Sequence, residues 1–415
     1  MAVIRPFRAL RPIPSLVDRV AALPYDVMSS AEAREMVRDN PYSFLHVDKA
    51  EIDLEAGIDL YDERVYVKAR SNLDKMAAEG VFIQDQTARL YIYRQKRGQR
   101  AQTGLVACLS IDDYLNDIIK KHELTRADKE QDRIRHVDSC DAQTGPIFIT
   151  YRSQEQINAI IEAWISRHQA LYDFVSEDGI GHTVWSIDHD EVILSLVGLF
   201  AHIDRLYIAD GHHRSASAVQ VGLQRRADNP HHTGREEYNY FLAVIFPDHD
   251  LYIMDYNRLV RDLNNHSREE FLSLLEKDFE VTAYSGPGPY QPREPKTYGM
   301  FLEDSWYILK ARPGTYDALD PVARLDVSIL QNNLLGSILG ITNPRTDKRI
   351  DFVGGARGLE ELESRVADDM KIAFAMYPTT IADLMAISDA GKIMPPKSTW
   401  FEPKLRSGIF IHKLT

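Results

Sequence analysis

Three apolar runs stand out against an otherwise mixed chain. Leu206-Tyr-Ile208, Pro146-Ile-Phe-Ile-Thr-Tyr151 and Tyr240-Phe-Leu-Ala-Val-Ile-Phe246 are short, nearly continuous and flanked by polar residues. Such runs predict buried strands. Helical spacing appears between and around them. Ile157, Ile160, Ile161, Trp164 and Leu171 share a face of Gln154–Tyr172, and Tyr61, Val65, Ala69, Leu73 and Met76 share one of Asp59–Ala78. After His213, the residues Ala216, Val219 and Leu223 recur near the helical period. Arg126–Val137, Arg258–Asp278 and Ala323–Leu339 predict further helices. Ser29 or Ser30 caps a helix that starts at Ser30 and ends by Asn40-Pro41, with Glu32 and Glu35 in its first turns. Leu90–Tyr93 and Thr103–Leu109 predict strands joined by a polar turn, Gln95 to Gln102, and Thr183–Ile187 predicts another strand. Strands alternating with helices predict an α/β or α+β fold. We expect an N-terminal α/β unit over residues 1–107, a core over 108–255, and a more helical part over 256–415.

Composition narrows the class. The chain has 415 residues, 44% hydrophobic and 27% charged, which suits a soluble globular protein of two or three domains. No apolar run approaches the ~18 residues that span a bilayer, and the N-terminus lacks the apolar stretch of a signal peptide. The expected location is cytoplasmic, without membrane contact. Cys108 and Cys140 are the only cysteines, too few for a disulfide framework or a thiolate metal cage. A net charge of −13 disfavours sequence-independent nucleic-acid binding. The expected partner is a small anion; the charge says nothing of oligomeric state.

Asp210-Gly211-His212-His213-Arg214 carries the sharpest chemistry, because it follows a buried strand and opens a helix. Free N–H groups and the positive end of the helix dipole make such a junction an anion site. Arg214 adds a fork that can grip phosphate. The ordinary alternative is an Asp-Gly turn with structural histidines. Lys121-His122-Glu123 is the second group. Glu123 is a candidate general base if desolvated, and otherwise part of a solvated charged turn.

Other chemistries fail on spacing. His122-Glu123 begins a zinc-binding His-Glu-x-x-His pattern, but position 126 is Arg. Lys397-Ser-Thr399 looks like the end of a phosphate loop, but Pro395 and Pro396 remove N–H donors. Lys397 and Lys404 can still reach a phosphate as point charges. Gly354-Gly355 lacks dinucleotide-binding spacing. Magnesium held by substrate phosphates and one carboxylate needs few protein ligands and stays compatible.

Lys120-Lys-His-Glu123 together with Asp210-Gly-His-His-Arg214 resembles the ParB/sulfiredoxin-like superfamily, and within it the free L-serine kinases. Nearly the whole chain also resembles the family of unknown function numbered one thousand and fifteen, through Leu23-Pro-Tyr-Asp26, Asn40-Pro-Tyr-Ser43, both motifs above and Pro395-Pro-Lys-Ser-Thr399. The resemblance implies a mixed-sheet, nucleotide-binding core in 108–255. It implies transfer of a phosphoryl group from ATP (or ADP), with Mg²⁺, to a small hydroxylated substrate such as L-serine. Glu123 would then activate the hydroxyl, with His122 and Thr125 lining the substrate pocket. Asp210, Gly211, His213, Arg214 and Lys397 would hold phosphate. His212 and His213 would assist catalysis, and Asp210 would hold the metal. About 85 residues separate the two motifs, a departure that could reshape the substrate pocket. A nucleotide-dependent switch without turnover is the rival reading. Sulfinic acid reduction is disfavoured, since His212 stands where sulfiredoxins carry cysteine.

Overall fold

The apolar runs pair as strands of one mixed sheet. The computed structural model describes Met1–Thr415. Its main sheet contains Ile4–Arg5 (β1), Leu90–Arg97 (β2), Arg100–Ser110 (β3), Ile119–Lys120 (β4), Ile147–Tyr151 (β5), Tyr172–Val175 (β6), Gly181–Ile187 (β7), Leu206–Asp210 (β8) and Tyr240–Pro247 (β9). The order is β4-β8-β5-β9-β3-β2-β7-β6, with β1 pairing β3. The pairs β4/β8 and β5/β9 are parallel and the others antiparallel. The fold is therefore mixed α/β, as expected.

Helices cover this sheet because their apolar faces match it. Glu155–Arg167 (α4) and Asp190–Phe200 (α5) bury Ile157, Ile161, Trp164, Leu196 and Phe200 against Leu105, Ile149 and Phe241. Burying each such side chain contributes about 1.5–3 kcal/mol. His212–Asp228 (α6) adds Ala218 and Val219 to the same core. A neighbouring core gathers around Glu63–Ala78 (α2), where Val65, Ala69, Leu73 and Met76 pack with Phe44, Leu45 and Phe82. Ser30–Met36 (α1) starts with Ser29 as N-cap in a reciprocal capping box with Glu32. Ala127–Cys140 (α3) completes the set used below.

The chain forms two compact units, Met1–Leu251 with Pro403–Thr415, and Tyr252–Glu402. Residues 1–107 and 108–255 do not fold as separate layers, since β2 and β3 sit between β9 and β7 in one sheet. The second unit is less helical than expected. Its sheet runs Phe279–Tyr284, Ser305–Ala311, Thr297–Leu302, Ile372–Ala375, Tyr256–Val260, Ile350–Gly354, all antiparallel. The helix expected over Arg258–Asp278 is a strand, then left-handed Asn264 and Asn265, then a helix from Arg268 to Leu275. Tyr256–Val260 is buried at every residue between two neighbours, so its apolar positions answer to a sheet, not to one helix face. In the stretch 323–339, a short helix Asp326–Leu330 passes into a wider turn, Gln331–Gly336.

Candidate active site

The register of the short edge strand brings the two motifs together. β4 runs parallel to β8, with Ile119 opposite Leu206 and Lys120 opposite Tyr207. Both chains leave the sheet at the same end, so residues 121–126 and 210–214 emerge side by side. The ladder between β8 and β5 slips between Ile208 and Asp210, a bulge that ends the strand. Gly211 then turns the chain at φ 94° into α6, a conformation that glycine adopts without a side-chain clash. A β-carbon there would lie 3.3 Å from Arg214 Nε.

The start of α6 is left open. It has no side-chain cap and no acidic residue in its first turn. Its opening N–H groups therefore face outward with the dipole behind them. Arg214 is anchored through Nη1, which donates to the Pro146 carbonyl at 2.8 Å. Its Nε is buried without an acceptor. Burial alone would lower the guanidinium pKa, but Asp26, Asp210, Tyr25 and Asp48 outweigh it, so Arg214 stays charged. Desolvation likewise works against an ionised Asp210, yet Lys404 and Arg214 hold its pKa below the ordinary carboxylate range.

The paired histidines hold the loop that carries Glu123. His212 is buried, and its Nε2 faces the main-chain N–H of His122 at 3.5 Å. The two rings meet edge to face with centroids 4.4 Å apart. Burial drives His122 to a pKa of about 4 and His212 well below its usual value, so both are neutral. His213 Nε2 accepts the Arg126 N–H at 3.0 Å, and burial lowers its pKa too. Each end of the 122–126 loop is thus tied to the first turn of α6. Glu123 lies within that loop, half-buried.

The other expected site residues sort by what they touch. Thr125 Oγ1 donates to Glu130 Oε2 at 2.7 Å, which occupies it at the start of α3. Lys397 belongs to the second unit. There it adopts a left-handed backbone (φ 57°), with its Nζ 5.4 Å from the Tyr256 ring centre and its carbonyl accepting from Arg258 at 3.0 Å. The lysine beside Asp210 is Lys404, 3.1 Å from Oδ2. Asp210 does not fit the metal-ligand role. Its Oδ1 accepts the Gly211 N–H at 2.9 Å, its Oδ2 serves Lys404, and no group of three or more acidic, histidine or cysteine side chains gathers at one point. It acts as a counter-charge.

Pro24-Tyr25-Asp26, to which the sequence alone assigns no chemistry, contributes to the same region. Tyr25 stacks under the Arg133 guanidinium at 4.1 Å. With Arg214, Asp48, Thr144 and Gly145 these two line a cavity of about 30 Å³. The charge of Asp26 is the strongest favourable influence on both His213 and Arg214. The signals in the sequence are an aromatic and an acid directly after a proline, within the Leu23-Pro-Tyr-Asp26 stretch that carries the family resemblance. Both cysteines are buried, and desolvation raises their pKa values, Cys140 to about 12. No helix is long and apolar enough to cross a membrane.

No curated protein matches the chain. Among solved structures, a free serine kinase in complex with AMP is 13% identical, covering 74% of this chain and 91% of its own, with a TM-score of 0.38. A conserved hypothetical protein from Pyrococcus furiosus is also 13% identical, with coverage of 74% and 95% and a TM-score of 0.36. C-terminally truncated SbnI from Staphylococcus aureus is 10% identical, with coverage of 74% and 87% and a TM-score of 0.39. The family model described as protein of unknown function (DUF1015) matches residues 4–328, and the chain belongs to that family.

Proposed function

We propose that this protein is a kinase that moves the terminal phosphoryl group of ATP to the hydroxyl of a small molecule, with L-serine as the first substrate to test. One observation carries the reading. A half-buried arginine whose Nε is enclosed without an acceptor sits on an uncapped helix start, beside a loop that holds a carboxylate.

Phosphoryl transfer asks for positioning and charge neutralisation more than for covalent help. The first-turn N–H groups of α6 and Arg214 Nε bind phosphate oxygens. Glu123 accepts the acceptor's hydroxyl proton. The freed oxygen attacks the terminal phosphorus, the bond from that phosphorus to the bridging oxygen breaks, and ADP leaves with the electron pair. Charge that develops on the leaving oxygens faces fixed donors that need no reorganisation. His212 and His213 act by position: both are neutral, and each is engaged with the backbone of the Glu123 loop.

The test is a product assay. Purified protein with ATP, Mg²⁺ and L-serine should yield O-phosphoserine and ADP in equal amounts. Nucleotide binding without serine-dependent turnover would replace the kinase reading with a nucleotide-dependent switch.

A further inference from the structure

Asp210 and Arg214 carry opposite charges 3.9 Å apart, so the turn they frame is balanced by itself. Lys404 makes it cationic. Its side chain is 10% exposed and reaches Asp210 across 194 residues of sequence.

Backbone recognition sets that placement. Gln95 and Gln102 lie directly opposite each other on β2 and β3, and both are buried. Gln102 Nε2 donates to Gln95 Oε1 at 2.9 Å and to the Pro403 carbonyl at 3.4 Å. Gln95 Nε2 donates to the Lys404 carbonyl at 2.8 Å. A buried amide left without a partner is destabilising. The glutamine pair therefore favours one register of the returning chain, the register that delivers Lys404 to Asp210.

We propose that Lys404 is the second cation of a site for two linked phosphates. One phosphate sits on the first turn of α6 and Arg214 Nε, and the next draws Lys404 Nζ from Asp210. The ligand class is a diphosphate or longer anion, since a single phosphate engages only the first position. This rests on reading the turn as the nucleotide site and adds its charge requirement.

Calorimetry on the full chain tests it with inorganic pyrophosphate and inorganic phosphate as probes. Pyrophosphate should bind the unaltered protein at least about tenfold more tightly than phosphate, and Lys404→Met should remove most of that advantage. Lys404→Gln, whose amide still donates to Asp210, serves the same purpose should the Met variant fold poorly. Equal pyrophosphate affinity in the variant and the unaltered protein overturns the proposal. So does pyrophosphate binding no tighter than phosphate. Should the pyrophosphate pattern appear without phosphoserine formation, the two-phosphate site stands and the kinase reading falls. Phosphoserine formation with an unchanged KM for ATP in Lys404→Met keeps the kinase and removes Lys404 from the site.

Discussion

Nε2 of His213 accepts the main-chain N–H of Arg126 at 3.0 Å. That bond ties the loop bearing Glu123 to the helix that would bind phosphate. It also fixes the neutral imidazole with its proton on Nδ1. Replacing His213 by Ala should cut turnover about tenfold to a hundredfold, because small misplacements of a reacting group cost that much. Global stability should fall by only about 1 kcal/mol, the net worth of one hydrogen bond. Steady-state kinetics beside urea unfolding separates the two effects. Unchanged turnover would mean that the loop needs no such tie.

Glu123→Gln preserves shape and removes the proton acceptor. Turnover should drop by about 10²–10⁴ while nucleotide affinity stays within a factor of about three. Full activity in this variant would place the base elsewhere.

Gly211 has φ 94°, and a β-carbon there would approach Arg214 Nε at 3.3 Å. Gly211→Ala should destabilise the fold by about 1–2 kcal/mol through the left-handed backbone. It should also weaken nucleotide binding by displacing the guanidinium. Unfolding midpoints and calorimetric titration with ADP check the two halves independently.

Acid should destabilise the protein earlier than its carboxylates require. Burial holds His122 at a pKa of about 4, and His212 well below the ordinary histidine value. The unfolded chain takes up these protons from about pH 6.5 downward, the folded chain only at lower pH. Above about pH 6.5 the two states bind alike and nothing is lost; below it, stability falls until the folded pKa is reached. His122 alone should contribute a slope approaching about 1.4 kcal/mol per pH unit in that window. Urea midpoints measured between pH 7.5 and 4.5 should show the fall, and His122→Phe should make it shallower. An identical profile in the variant would mean that His122 is not the group titrating.

Much of this site is legible from local patterns. The Leu206–Ile208 run, the Asp-Gly break and the helical repeat after His213 mark the strand, turn and helix of β8 and α6. Ser29 with Glu32 marks a helix start that the capping box bears out. What stays hidden depends on contacts far apart in sequence. The two residues of β4 are too few to show a period, yet their pairing with β8 brings the motifs together. Lys404 reaches Asp210 because buried Gln95 and Gln102 hold the returning chain, and no periodicity encodes that. The helix expected from Arg258 fails for the opposite reason, because Arg258–Val260 belongs to the strand Tyr256–Val260. A strand buried on both faces shows the same apolar residues as one face of a helix.

A crystal structure with a non-hydrolysable ATP analogue and L-serine tests the shared pocket most directly. The expected result has phosphate oxygens on the first-turn N–H groups of α6 and on Arg214 Nε, with the serine hydroxyl within hydrogen-bonding distance of Glu123. Nucleotide bound away from Arg214, or serine bound far from Glu123, would contradict the assignment of these two motifs to one phosphoryl-transfer site.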